Sequence, residues 1–310
     1  MHLSLPMNEE NGPLIVSNPQ MEIFDSSVFL TEEVEFLKSE GATVGFVPTM
    51  GALHDGHLSL IRQSRANCSH TVGSVFVNPT QFNNPDDLKN YPRTLDEDIR
   101  LLEQAGTDIL FAPSEKEIYP DAEARSSVPV VDLGLLDKVM EGVHRPGHFQ
   151  GVLQVVHRLF EIVRPDVAFF GEKDFQQLAV IRRMTEALAL PVKIVGCPTR
   201  REKDGLAMSS RNVRLTPEQR AAAPSLFQAL TFIRKNWEDR SVAKLKSEAA
   251  ALIGKSGIAQ IEYIEIADAT TLQPVEVIDG NSHVRCFVAA RIGDVRLIDN
   301  EAVVRPYDFI

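Results

Sequence analysis

Residues 43–57 read TVGFVPTMGALHDGH, an apolar, β-branched run that turns through Pro48, Gly51 and Gly56 into the start of a helix. Residues 43–47 have the composition of a buried strand, and residues 57–68 set Leu58, Ile61 and Arg65 on one helical face. The same strand-then-helix unit recurs along the chain. Residues 71–77 (TVGSVFV) predict a second strand. Thr94-Leu95-Asp96-Glu97 has the pattern of a capping box, and its helix should run to Ala105 and stop at Gly106. A strand over 108–112 and a helix over 152–163, closed by Pro165, come next. They are followed by a strand over 167–170, a helix over 175–188 that buries Phe175, Leu178 and Ile181, and a strand over 192–195. Such alternation implies a parallel sheet with right-handed crossovers, covered by helices on both faces. The expected fold class is α/β, with a Rossmann-like domain at its centre.

After Pro198 the pattern changes. Thr216-Pro217-Glu218-Gln219 is a second capping box with proline at the first helical position. Its helix should break or restart at Pro224 and reach about Trp237, and another should cover 243–253. Apolar runs at 261–266, 284–292 and 295–298 follow, the last two joined by the hairpin dipeptide Gly293-Asp294. This predicts a polar tail over 1–20, a Rossmann-like domain over 21–197, and a smaller α+β domain over 198–310.

Composition narrows the function. Hydrophobic residues are 44% and charged residues 24% of 310, ordinary for a globular chain that buries a core. Lysine and arginine total 32 against 43 for aspartate and glutamate, a net charge of -11, which argues against tracking a nucleic-acid backbone. Cys68, Cys197 and Cys286 are far apart and lack metal or disulfide spacing, which points to a reducing compartment. The first 20 residues lack the basic start and apolar core of a signal peptide, and no apolar run approaches the ~20 residues of a membrane span. Cytoplasm is the default expectation, with no nucleic-acid or membrane partner.

Four segments carry candidate chemistry. Met50-Gly51-Ala52-Leu53-His54-Asp55-Gly56-His57 lies between a strand and a helix, where open α/β sheets bind ligands. Its glycines allow close backbone approach, and the helix start offers unpaired N–H groups to an anion. The same residues could form an ordinary turn with two surface histidines, or a metal pair, although no further ligand has a readable spacing. Asn78-Pro79-Thr80-Gln81-Phe82 follows the next strand and should open into the same crevice with two neutral amides. Gly171-Glu172-Lys173-Asp174 supplies a mobile cation, with Gln177 one helical turn further on; it would otherwise be a solvated helix start. Met208-Ser209-Ser210-Arg211-Asn212 offers two hydroxyls and a guanidinium suited to a triphosphate, or else a surface turn.

H-x-G-H at a strand–helix junction resembles the nucleotidyltransferase superfamily, which includes the class I aminoacyl-tRNA synthetases. The strings PTMGALHDGH, FVNPTQF, FFGEKDFQQL and GLAMSSRN, in this order and joined by HRPGHFQGV at 144–152, closely resemble the pantoate–β-alanine ligase family. The resemblance spans roughly residues 21–300. It implies that ATP lies along residues 50–57, Gly171, Glu172, Lys173 and Asp174, the backbone at Arg200, and Met208, Ser209, Ser210 and Arg211. Arg200 departs from the family pattern, which has a smaller apolar residue there. His57 would be the catalytic proton donor. Gln81 and Gln177 would hold pantoate, with Gln81 also near β-alanine, and Asn78 and Arg145 would be pocket residues. The resemblance further implies Mg²⁺, a homodimer formed through the N-terminal domain, and a C-terminal domain acting as a lid.

The implied reaction makes pantothenate through a pantoyl-adenylate, releasing AMP and pyrophosphate. Oxide is a very bad leaving group, and a mixed anhydride with AMP replaces it. Three other readings compete: an adenylyltransferase that keeps AMP in a stable dinucleotide, a tRNA ligase, and a non-catalytic ATP- or metabolite-sensing module. The chain is short and acidic for a tRNA ligase. Metal ligands are not readable, and Asp96, Asp98 and Asp174 are unranked acidic candidates.

Overall fold

A computed structural model describes residues 21–121, 131–281 and 283–304; the tail over 1–20 and the last six residues of the second expected domain lie outside these. Six strands form the first sheet: β1 (Glu22–Phe24), β2 (Val44–Thr49), β3 (His70–Val75), β4 (Ile109–Phe111), β5 (Val167–Gly171) and β6 (Lys193–Cys197). They lie in the order β1-β4-β3-β2-β5-β6, every paired neighbour parallel. The chain winds outward from β2 through β3 and β4, then crosses to β5 on the other side of β2. That reversal opens a crevice at the carboxyl edge of β2, β3 and β5, where a doubly wound sheet takes its ligands.

The sheet is buried on both faces. Phe46 of β2 packs edge-on against Phe160, which meets Phe170 of β5 in the same way, ring centroids 6.4 Å apart in each pair. On the other face Val47, Ile61, Leu102, Leu110 and Phe169 form a second cluster.

From residue 212 onward the helices Pro217–Ala222, Ser225–Asn236 and Val242–Gly254 precede an antiparallel sheet of β7 (Ala259–Asp268), β8 (Val284–Ile292) and β9 (Val295–Val304). Leu226, Leu230, Ile233, Leu245 and Ile253 pack on Ile266, Cys286, Val288 and Ala290 to give this part its own core. The Thr216 capping box forms as expected: Gln219 N–H donates to Thr216 Oγ1 at 3.3 Å, and Thr216 N–H donates to Gln219 Oε1 at 3.0 Å.

Several expectations need correcting. The Thr94 box does not form; Thr94 Oγ1 donates to Asp98 Oδ2 at 3.3 Å instead, although the helix Leu95–Ala105 does end on a left-handed Gly106 (φ 82°). The helix expected over 152–163 begins four residues earlier, at His148. Gly151 lies inside it, with Thr80 O 2.4 Å from where a Cβ would stand. Glycine is therefore required for close approach there. Phe175 is only half-buried, against Phe287 and under the Arg285 guanidinium. Gln176 takes the buried position, donating to Leu136 O (2.7 Å) and Val139 O (3.0 Å) and accepting from Glu141 N–H (3.0 Å). β9 continues to Val304. β1 and the helix Ser27–Ser39 were not foreseen. The strand has three residues, and the helix buries Leu30 and Val34 while Phe29 and Phe36 stay exposed, which blurs its amphipathic signal.

Candidate active site

The turn after β2 is set by backbone shape and one buried carboxylate. Gly51 has φ 78°, and a Cβ there would stand 2.9 Å from Asp98 Oδ2. Ala52 also has a positive φ, 50°, a conformation that costs a non-glycine residue free energy. Asp98 holds the turn by accepting Ala52 N–H at 3.0 Å and Leu53 N–H at 2.8 Å. Its two oxygens are thus committed to the backbone, which removes it as a metal candidate. Asp96 is exposed, and neither residue lines the cavity described below, whereas Asp174 does.

His54 caps the helix Asp55–Asn67, which starts two residues earlier than expected. Its Nδ1 accepts Gly56 N–H at 3.1 Å, and His57 Nδ1 faces His54 N–H at 3.4 Å. The two rings lie with centroids 4.1 Å apart. Burial, reinforced by Lys173, pushes His54 down to about 4. Burial, then His54 and Lys173, hold His57 well below the usual imidazole range. Both rings are therefore neutral at neutral pH. Because each Nδ1 is an acceptor, each proton resides on Nε2. The sequence-expected histidine pair thus does two things: it caps the helix with one ring nitrogen and offers an N–H donor with the other.

The loop after β3 is fixed just as firmly. Asn78, almost fully buried, donates to Gly151 O at 3.1 Å and to Gln81 Oε1 at 3.3 Å, and accepts Tyr119 OH at 3.1 Å. Gln81 Nε2 lies 3.1 Å from Met50 Sδ. The Gln81 carbonyl accepts from His148 Nδ1 at 2.8 Å and from Arg145 Nη2 at 3.4 Å. Burial and Arg145 push His148 down to about 4, so it too is neutral.

After β5, Lys173 Nζ lies 3.5 Å from Asp174 Oδ1. Asn300 of β9 donates to the Glu172 and Lys173 carbonyls at 2.9 and 2.8 Å, and Arg285 of β8 pairs with Glu172 at 3.1 Å. The serine-rich loop reaches across the crevice: Ser210 Oγ donates to Ala52 O at 3.0 Å, and Asp87 receives Arg211 at 2.7 Å and Arg214 at 2.9 Å. Met208 N–H donates to the Arg200 carbonyl at 3.0 Å, and the Arg200 side chain is exposed.

These groups surround a cavity of about 240 Å³. Met50, His54, Gly56 and His57 line it, as do Asn78, Gln81, Arg145, Gly171, Lys173, Asp174 and Gln177. Arg200, Met208, Ser209, Ser210 and Arg211 close it from the C-terminal side. Gly51, Ala52, Leu53, Asp55 and Glu172 are not on its wall: Asp55 is exposed, and Glu172 is turned to Arg285. Among the lining residues, sequence reasoning missed Tyr91, Glu141, His148, Asp299 and Asn300. His148 alone had a local signal, within HRPGHFQGV; the others reach the cavity through contacts 98 or more residues apart or from a loop with no motif.

A sequence profile of the family described as Pantoate-beta-alanine ligase matches residues 22–302. The pantothenate synthetase of Porphyromonas gingivalis is 48% identical over 283 residues, covering 90% of this chain and 98% of its own. That of Heliobacterium modesticaldum is 52% identical over 268 residues, covering 85% of this chain and 92% of its own. The crystal structure of pantothenate synthetase from Thermus thermophilus superposes with a TM-score of 0.85 at 43% identity, over 92% of this chain and all of that one. The pantoate-beta-alanine ligase of Francisella tularensis, complexed with "Beta-gamma ATP and Beta-alanine", gives a TM-score of 0.74 at 35% identity over 91% of this chain and 98% of that one.

Proposed function

The chain belongs to the pantoate–β-alanine ligase family, and we propose that the crevice beyond β2, β3 and β5 is where it works, by way of a pantoyl-adenylate. As a member of that family it condenses pantoate with β-alanine at the expense of ATP. One observation carries the assignment of the site. Two neutral imidazoles, Lys173 and the Ser209–Ser210–Arg211 loop share one cavity wall with the amides of Gln81 and Gln177. The first set suits a triphosphate and the second a small hydroxy acid.

In the first step a pantoate carboxylate oxygen forms a bond to the α-phosphorus, and the bond to the pyrophosphate oxygen breaks. ATP lies along Met50, His54, Gly56, His57, Gly171, Lys173, Asp174, Arg200 and Met208–Arg211, the members of the expected set that line the cavity. Lys173 and the Nε2–H donors of His54 and His57 stabilise charge on the phosphoryl oxygens, and Ser209, Ser210 and Arg211 receive the departing pyrophosphate. The resemblance assigns proton donation to His57; as a neutral imidazole it keeps its Nε2 proton and donates it in a hydrogen bond. In the second step the free amine of β-alanine attacks the acyl carbon, the bond to AMP breaks, and the amine's surplus proton passes to solvent. Among the described residues no group of three or more His, Cys, Asp or Glu side chains could hold a metal, and Asp174 stands beside Lys173 on the wall. That donor set fits Mg²⁺ carried mainly by phosphate oxygens with one protein carboxylate, where it would offset pyrophosphate charge.

The described residues from 198 onward form the lid over the domain that begins at residue 21. Ser210 on Ala52, and Arg211 and Arg214 on Asp87, tie this lid down beside the cavity of about 240 Å³, and these contacts part in the opening that admits the nucleotide. Closure then shields the adenylate from water. Pantoate-dependent exchange of label between pyrophosphate and ATP, without β-alanine, is the expected result. Exchange that needs β-alanine would rule out the two-step route, and AMP retained in a stable product would favour the dinucleotide-forming alternative.

The chain acts as a homodimer formed through its N-terminal part. Supporting this, Phe29 (63% exposed) and Phe36 (58%) stand one above the other on the helix Ser27–Ser39, beside exposed Ile23 and Val28. Light scattering should give twice the chain mass, and a Phe29→Glu/Phe36→Glu variant should give one; a monomeric parent protein would end this proposal. Three buried free thiols agree with a cytoplasmic setting, and no helix among the described residues is long and apolar enough to cross a membrane.

A further inference from the structure

Lys173 stands on a turn that lacks a cap of its own. The turn Glu172–Asp174 leads from β5 into the helix Phe175–Ala187, and neither Gly171 nor Asp174 caps it with a side-chain hydrogen bond. A lysine is a long, freely rotating stem, so its charge is placed only as well as its backbone is. The hold comes from the C-terminal sheet, 127 residues further on.

Asn300 of β9 is almost fully buried and reaches the cavity wall. Its side-chain amide donates to the Glu172 carbonyl at 2.9 Å and to the Lys173 carbonyl at 2.8 Å. Its side-chain oxygen accepts from Arg285 of β8. That guanidinium also pairs with Glu172 at 3.1 Å and lies 3.9 Å over the ring of Phe175. Only one amide orientation suits these partners, because the reverse would set Oδ1 against two carbonyl oxygens and N–H groups against a guanidinium. The neighbouring residue pins the strand: buried Asp299 accepts Arg201 at 2.6 and 3.0 Å, and the Asn300 backbone N–H at 2.8 Å. Both protons of the Asn300 amide are thus spent on the turn.

We propose that Asn300, oriented by Arg285, is the positioning residue for Lys173 and sets where its ammonium stands in the adenylation step. This rests on the reading above, in which Lys173 stabilises charge on the phosphoryl oxygens. Misplacing such a group by ~1 Å can cost about 100-fold in rate, so a link to its backbone matters although the link itself serves no ligand.

Asn300→Asp tests this in the full-length enzyme. It keeps the size of the side chain and its bond from Arg285, but turns two donors into an oxygen facing two carbonyls. The kcat of pantoate-dependent pyrophosphate–ATP exchange should fall by about 10–100-fold. KM for pantoate should stay within about threefold, since the glutamine amides are untouched. The deciding measurement combines this variant with Lys173→Ala. Because Asn300 acts through Lys173, adding Asn300→Asp to Lys173→Ala should slow exchange by less than about threefold more. Asn300→Ala should give the same two results, and a melting curve on each variant identifies any that fails to fold. Losses that multiply in the double variant would mean that Asn300 supports the fold at large or meets substrate directly, and would overturn the proposal. An unchanged rate in both Asn300 variants would do the same. Lys173→Ala exchanging as fast as the parent would instead overturn the phosphate role of Lys173 beneath it.

Discussion

Replacing His57 or Lys173 by alanine is expected to slow adenylation by ~10²–10³-fold each, the usual loss when one preorganised donor to developing charge is removed. Both groups line the cavity, yet neither is a major support of the core, so folding should survive. His57 acts as a neutral N–H donor whose other nitrogen faces the backbone at His54, 3.4 Å away. This has a consequence for pH. Protonating His54, whose folded-state value lies at about 4 against 6.5 when free, turns the Nδ1 acceptor into a donor aimed at Gly56 N–H. The folded state therefore disfavours that proton: the stability linked to it is complete above 6.5 and is lost as pH falls toward 4. Activity should accordingly stay level from pH 8 down to about 5 and drop as pH falls toward 4, with no inflection from these rings near 6.5. Measuring kcat/KM for ATP across that range decides it. A rise on acidification would mean that a cationic histidine does the work, and adenylation within about threefold of the parent for both alanine variants would return the two residues to a structural role.

How far the sequence could be read depended on whether a feature was local. The strands at 43–47, 71–77 and 167–170 are short apolar runs closed by turn residues, and each lies where it was expected, give or take two residues at the ends. Since β2, β3 and β5 are neighbours at the reversal of strand order, the motifs that follow them had to meet. The histidine pair, Gln81 and Lys173 share a cavity wall for that reason, whereas the serine-rich loop follows none of these strands and was expected there only from the resemblance. The supports of these groups were not legible. Asp98 directly follows the expected helix-capping pattern and reads only as an unranked acidic residue, and its actual task is to hold the turn 46 residues earlier. Glu141 and Arg296 are 155 positions apart, and nothing near either signals the other. Charged residues that pair across the chain look, in one sequence, like any solvated charge. The helix Ser27–Ser39 failed for a related reason: Phe29 and Phe36 point away from the core, so its apolar residues encircle the cylinder.

Substituting Gln81 or Gln177 by alanine should weaken pantoate binding by about 10–100-fold, as one or two hydrogen bonds to substrate hydroxyls vanish and leave polar groups unpaired. Pantoate bears two hydroxyls beside its carboxylate, and neutral amides address them without attracting every anion that reaches a basic crevice. Gln81 is well placed for this because little depends on its side chain. Asn78, which donates to Gln81 Oε1, also donates to Gly151 O at 3.1 Å and keeps that bond when Gln81 is shortened. The subsite backbone, held through Gln81 O by His148 at 2.8 Å, is likewise untouched. Gln177 stands next to Gln176, whose amide bonds fix the helix start against Leu136 and Val139, so its removal leaves that anchorage intact. ATP affinity should therefore stay within about threefold of the parent in both variants. Calorimetric titration of ATP and of pantoate separates the effects, and a pantoate analogue lacking one hydroxyl sharpens them: the parent protein should reject it strongly, and the variant missing the matching amide should not. Equal losses for both ligands would mean a disturbed fold, and undiminished pantoate affinity would take the substrate away from these two glutamines.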